Sequence, residues 1–157
     1  MFKGFRHKNR LIFVLETVSA ICVVFTLIYV FGDFGSAEGK VIINYIFMGE
    51  ASGWGNRSML YVFAAISLVI YIGLSIVSDK PKYWNLPVKI TNENKTAVYA
   101  LAELMLYGIK AEILLMFLYT CVCSANAMNI SAPFMGAFVV LLLLTAFVPL
   151  IRISRLK

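Results

Sequence analysis

Four long apolar stretches, 11–31, 59–78, 96–125 and 133–151, alternate with short polar segments along the chain. A helix of ~20 mostly apolar residues covers the ~30 Å hydrocarbon core of a bilayer. Each stretch therefore predicts a membrane-crossing helix, and together they predict an all-α integral membrane four-helix bundle. The 157 residues leave room for a single membrane domain, 1–157, with no soluble domain beside it. Between the second and third stretches lies the connection 79–95.

The stretches are unequal. The second and fourth are uncharged, the first carries Glu16, and the third carries Glu103, Lys110 and Glu112. Small residues at Ala64, Ala65, Ser67, Gly73 and Ser75 suit the second stretch to close helix packing in lipid. The third stretch is longer than a span needs, roughly 45 Å at ~1.5 Å per residue. Its first half is expected to project from the membrane, to lie in the interface, or to break at Gly108. The fourth starts at Pro133, suited to a first helical turn, and Pro149 is placed to kink its end.

The connections differ in character. The first, 32–58, contains an apolar run at 41–48 that is too short to span and predicts an interfacial helix or a short strand pair. Residues 51–56 read as a turn-rich loop anchored by Trp54. In the connection 79–95, Pro81 and Pro87 oppose helix, and Leu86 before Pro87 is pushed towards an extended backbone. Thr91 or Asn92 is expected to cap the third helix, with Glu93 in its first turn.

Charge fixes an orientation. Outside the stretches, Lys3, Arg6, Lys8, Arg10, Lys80, Lys82, Lys89, Lys95, Arg152, Arg155 and Lys157 fall on one side of the membrane, and only Lys40 and Arg57 on the other. Basic residues are retained on the cytoplasmic side, so both termini and the connection 79–95 are expected there. The net charge of +6 is then topological charge rather than a nucleic-acid footprint. The lipid bilayer is the first partner it implies. The 21-residue apolar stretch after Arg10 exceeds a signal-peptide core and is expected to be retained as the first span. The wider reading is a multi-pass protein of a plasma membrane, 61% hydrophobic and 14% charged.

Little in the chain carries chemistry. His7 is the sole histidine, which leaves no Ser-His-Asp triad and no His-rich metal site. Cys121-Val122-Cys123 lacks the two-residue gap of a redox or zinc pair, and Cys22 stands apart. No catalytic residues, cofactor or metal are predicted, and the chain is not read as an enzyme. The candidates are the intramembrane Glu16, Glu103, Lys110 and Glu112, because an ionised group at mid-membrane costs ~2.5–3.5 kcal/mol and must face a partner or water. Glu103 and Lys110, seven apart, share a helix face, and Glu112 points about 200° from Lys110. A Glu16–Lys110 pair between neighbouring helices is expected, with Glu112 as the other possible partner. These groups read either as packing ion pairs or as a polar cleft.

The segment Trp84-Asn-Leu-Pro-Val-Lys-Ile-Thr-Asn-Glu-Asn94, followed by Tyr99 and then Lys110 and Glu112, resembles a group of small bacterial membrane proteins. They carry a short domain of unknown function with an Asn-x-Pro-Val-x-Ile-Thr-x-Glu-Asn stretch leading into a helix. That domain also opens Sdp-type immunity and signalling proteins. The resemblance covers about 30 residues and implies a bacterial inner-membrane protein. It singles out Trp84, Asn85, Pro87, Thr91, Glu93 and Asn94 as motif or recognition residues. Two functional classes follow. One is an interaction, accessory, immunity or sensing protein, acting with a membrane-protein partner or as a homo-oligomer. The other is a small transporter or channel subunit using the cleft around Glu16, Lys110 and Glu112.

Overall fold

The computed structural model describes residues 10–35 and 39–156. Lys3, Arg6, His7, Lys8, Glu38 and Lys157 lie outside the described residues. Four helices dominate: α1 (Arg10–Phe31), α2 (Leu60–Ser78), α3 (Lys95–Ala125) and α4 (Ala132–Ser154). Between α1 and α2 runs an antiparallel hairpin of β1 (Lys40–Tyr45) and β2 (Ala51–Asn56). A 3-10 turn, Arg57–Met59, leads directly into α2.

Three helical segments, Arg10–Phe31, Arg57–Ser78 and Ala132–Ser154, are long and apolar enough to cross a membrane. Their large side chains, among them Phe13, Phe25, Val69 and Phe147, are exposed on the outer surface. So much contiguous apolar surface is foreign to a water-soluble monomer and natural in lipid, where a helix satisfies its own backbone.

α3 is the axis of the fold. α1, α2 and α4 all pack against it. Eleven α3 residues are buried, whereas Ile153 alone is buried on α4. Of the charges that lower its apolar character, Lys110 is buried, and Glu103 and Glu112 are half-buried. α3 does not break at Gly108; it is one continuous 31-residue helix. A Cβ at Gly108 would stand 2.7 Å from Thr145 Cγ2, so this glycine lets α4 approach α3. Small residues serve the same end elsewhere: Ser19, Cys22, Ala64, Ser67, Ala102 and Ala111 are buried. Ala65 and Gly73, in contrast, lie on the exposed side of α2.

The extra length at the start of α3 is covered by the connection. Val98 and Ala102 form a buried cluster with Ile153 of α4, over which Trp84, Leu86 and Val88 pack. Helix α3 begins at Lys95, just after Asn94, so Glu93 lies in the preceding turn and not in the first helical turn as expected. Thr91 and Asn94 exchange bonds across that turn: the Thr91 N–H donates to Asn94 Oδ1 (2.9 Å) and the Asn94 N–H to Thr91 Oγ1 (3.3 Å). This reciprocal pair closes the turn that precedes α3. The residue at the helix N-cap is Asn94, which makes no side-chain cap bond, so neither Thr91 nor Asn92 stands at the cap as expected.

The first connection holds the largest departure from expectation. Residues 51–56 are not a loop but strand β2, paired with β1 from Lys40 opposite Asn56 to Tyr45 opposite Ala51. The apolar run supplies β1, and Val41 and Ile42 are completely buried against the helix ends. Gly49, at φ 83°, makes the turn and presses on the α3–α4 connection. Its carbonyl accepts from the Ile130 N–H (2.8 Å), and a Cβ there would lie 2.3 Å from the Ile130 carbonyl oxygen. Ser124 donates to the Ile42 carbonyl, and the Ala51 N–H donates to Asn129 Oδ1 (2.9 Å). Tyr45 donates to the Met128 carbonyl (3.2 Å), and burial pushes its phenol pKa up, keeping it a neutral donor. Arg57 ties the end of α1 to the start of α2 through Asp33 (2.7 Å) and the Phe34 carbonyl (3.1 Å).

Candidate functional site

The polar residues of the bundle fall into three groups. The first joins α1, α2 and α3. Lys110 is fully buried and forms an ion pair with Glu16, as expected from the sequence. Its ammonium also donates to Ser75 Oγ (3.1 Å) and lies 4.6 Å from the ring centroid of Tyr107 and 5.0 Å from that of Tyr71. The Tyr71 hydroxyl donates to the second Glu16 oxygen (2.9 Å), and Ser75 donates onward to the Tyr71 carbonyl (2.7 Å). Tyr107 reaches the other way and donates to Asp79 Oδ1 (3.0 Å) at the end of α2.

This arrangement answers the chemistry of a buried ammonium. Lys110 has three N–H donors and no acceptor. Two acceptors and two aromatic faces surround it, and the faces attract a cation electrostatically. The Glu16 side chain keeps 33% of its surface accessible while Lys110 keeps none. Removing one partner would strand the other charge, at about 3–5 kcal/mol. Glu103 is half-buried on α3 and is not among the hydrogen-bond partners of Lys110.

The second group faces α4. Glu112 Oε1 accepts from the Thr145 hydroxyl, while Oε2 is buried with no hydrogen-bond partner. Glu112 lines an open groove of about 430 Å³ between the start of α1, the middle of α3 and the second half of α4. Lys110 and Glu112, two residues apart, are thus turned to different helices, and the alternative of a Glu112–Lys110 pair is not formed.

The third group is the connection 79–95. After a 3-10 turn at Pro81–Tyr83, accessibility alternates: Trp84, Leu86 and Val88 are half-buried, and Asn85, Pro87 and Lys89 are exposed. Trp84 donates to the Val77 carbonyl (2.8 Å) and meets Tyr99 edge-on at 5.7 Å. Asn94 is 8% exposed and knots three elements together, donating to the carbonyls of Lys89 (3.0 Å) and Leu156 (3.0 Å) while accepting from Thr91. Trp84 and Asn94 are therefore architectural. Asn85, Pro87, Thr91 and Glu93 face outward.

Tyr71, Tyr107, Asp79 and Thr145 were not among the residues expected at the site, and Ser75 was expected only as a small packing residue. A hydroxyl in an apolar helix bonds easily to its own backbone and carries little signal. The one available hint was the Tyr71–Ser75 spacing of four, which places both on one face of an otherwise uncharged helix. The described residues contain no cluster of three or more His, Cys, Asp or Glu able to hold a metal ion. No family model, curated protein or solved structure matches the chain.

Proposed function

We propose that this chain is a four-span bacterial plasma-membrane protein with cytoplasmic termini that acts by binding a membrane-protein partner, in an accessory, immunity or sensing role, and not by catalysis. The observation that carries the reading is the build of the connection 79–95. Its inward residues are anchored at Trp84, Leu86, Val88 and Asn94, and its outward residues Asn85, Pro87, Thr91 and Glu93 are held on a fixed frame. A pre-ordered polar surface loses little entropy on binding. The eleven-to-two distribution of Lys and Arg supports cytoplasmic placement of that surface.

A photo-crosslinking residue at Asn85 or Pro87, in native membranes, tests this reading. One membrane-protein partner should be captured at both positions, and Asn85→Ala combined with Glu93→Ala should abolish capture at unchanged protein level. Capture of nothing above background from either position would end the proposal. Orientation is tested separately with a cysteine at Lys89, which should resist impermeant reagents applied outside intact cells; labelling from outside would reverse it.

A second reading, a small transporter or channel subunit, is favoured by the accessible face of Glu16 and the groove at Glu112. It predicts a flux in proteoliposomes that Glu16→Gln removes without unfolding the protein. Absence of flux from the unaltered protein under ion and proton gradients would dismiss it.

A further inference from the structure

The groove at Glu112 has chemistry of its own. Its walls are leucines, methionine and valine from three helices, such as Leu15, Leu104 and Val148, and its inner polar feature is the half-buried Glu112–Thr145 pair. A carboxylate offers about four acceptor positions. Thr145 fills one on Oε1, and Oε2 has no donor at all. The nearest buried cation cannot answer it: Lys110 is enclosed by Glu16, Ser75 and two tyrosine rings. Arg152 lines the groove two turns beyond Thr145 along α4 and is exposed at its end. The interior is thus apolar with one acceptor oxygen unfilled, and the cation in its lining, Arg152, is exposed.

We propose that this groove binds a lipophilic ammonium compound, its apolar tail between α1 and α4 and its N–H donors on the Glu112 carboxylate. The cavity of about 430 Å³ falls within the ~300–1,000 Å³ range of small-molecule sites. An anionic amphiphile is repelled by Glu112, and a purely apolar one leaves Oε2 without a donor. Oε2 lies beneath the groove surface, so the ammonium engages as the side chain changes rotamer and exchanges Thr145 for the ligand. The inference rests on the chain residing in a bilayer. It does not depend on the partner surface at 79–95.

The test uses the full-length protein in phosphatidylcholine nanodiscs, with empty nanodiscs as baseline. Radiolabelled decylamine is titrated at neutral pH, and decanol and decanoate are titrated in parallel. The expected result is saturable decylamine binding of one molecule per chain, weakened roughly tenfold or more by Glu112→Gln. Val148→Trp, which fills the groove and leaves Glu112 intact, should also remove binding. If either variant fails to fold, the other decides. The proposal is overturned if binding never saturates above baseline, if decanol or decanoate binds as tightly as decylamine, or if Glu112→Gln binds like the unaltered protein.

Discussion

Glu16 and Glu112 are both carboxylates set inside long apolar helices, and the protein treats them in opposite ways. Glu16 receives an ammonium and a phenol, so both its oxygens are engaged. Glu112 receives a single hydroxyl, and one oxygen is left without a donor. The first carboxylate is thereby part of the joint that holds α1, α2 and α3 together. The second stands where α4 leans on α3 and contributes little to that joint. A charge inside an apolar helix is therefore not a functional residue by type; its partners decide whether it is committed to structure or available to a ligand.

The contrast is broken most forcefully at Lys110. Lys110→Met leaves Glu16 stranded and should destabilise the protein by about 3–5 kcal/mol, read as a shifted unfolding curve in mixed micelles. Joint replacement of Glu16 and Lys110 by leucine and methionine should recover most of that loss, since a well-packed apolar pair often equals a buried ion pair. A double variant as unstable as the single one would mean that packing, and not charge pairing, governs this joint.

Next in size is Asn94→Ala. It removes acceptance from Thr91 and donation to Lys89 and Leu156, and should cost about 1–3 kcal/mol for the loss of three part-buried hydrogen bonds. Proteolysis within 79–95 should accelerate in parallel. Unchanged cleavage would show that the frame beneath Asn85 and Pro87 is held by the Trp84 cluster alone.

Gly108→Ala comes third. The new Cβ, 2.7 Å from Thr145 Cγ2, forces the threonine to turn at about 1 kcal/mol. Crosslinking between cysteines on α3 and α4 should slow while α1–α3 crosslinking is unaffected. Smallest of all is Glu112→Gln, which should shift stability by less than about 1 kcal/mol, one neutral hydrogen bond. A loss comparable to Lys110→Met would erase the distinction between the two carboxylates.

The parts of the site that could be read from the sequence are those where physics leaves few options. A glutamate and a lysine inside apolar stretches must find each other or water, and Glu16 and Lys110 do so. The helix positions followed from length and apolarity, to within a residue or two at most ends. What could not be read depends on tertiary context. Ala51-Ser52-Gly53-Trp54-Gly55-Asn56 has the composition of a turn, and becomes a strand because the hairpin is clamped: Ser124 bonds β1, Asn129 bonds β2 and Ile130 bonds the turn between them. The length and charges of α3 gave no sign that three packed neighbours make it the buried axis of the fold. Tyr71, Tyr107 and Thr145 became visible only when their helices were brought together.

Glu16 and Lys110 thus act as one structural unit distinct from Glu112. A double-mutant cycle on Glu16→Gln and Lys110→Met in lipid bilayers measures this directly. The expected coupling free energy is about 2 kcal/mol or more, towards the upper end for directly contacting residues. Additive losses, with coupling indistinguishable from zero, would contradict it.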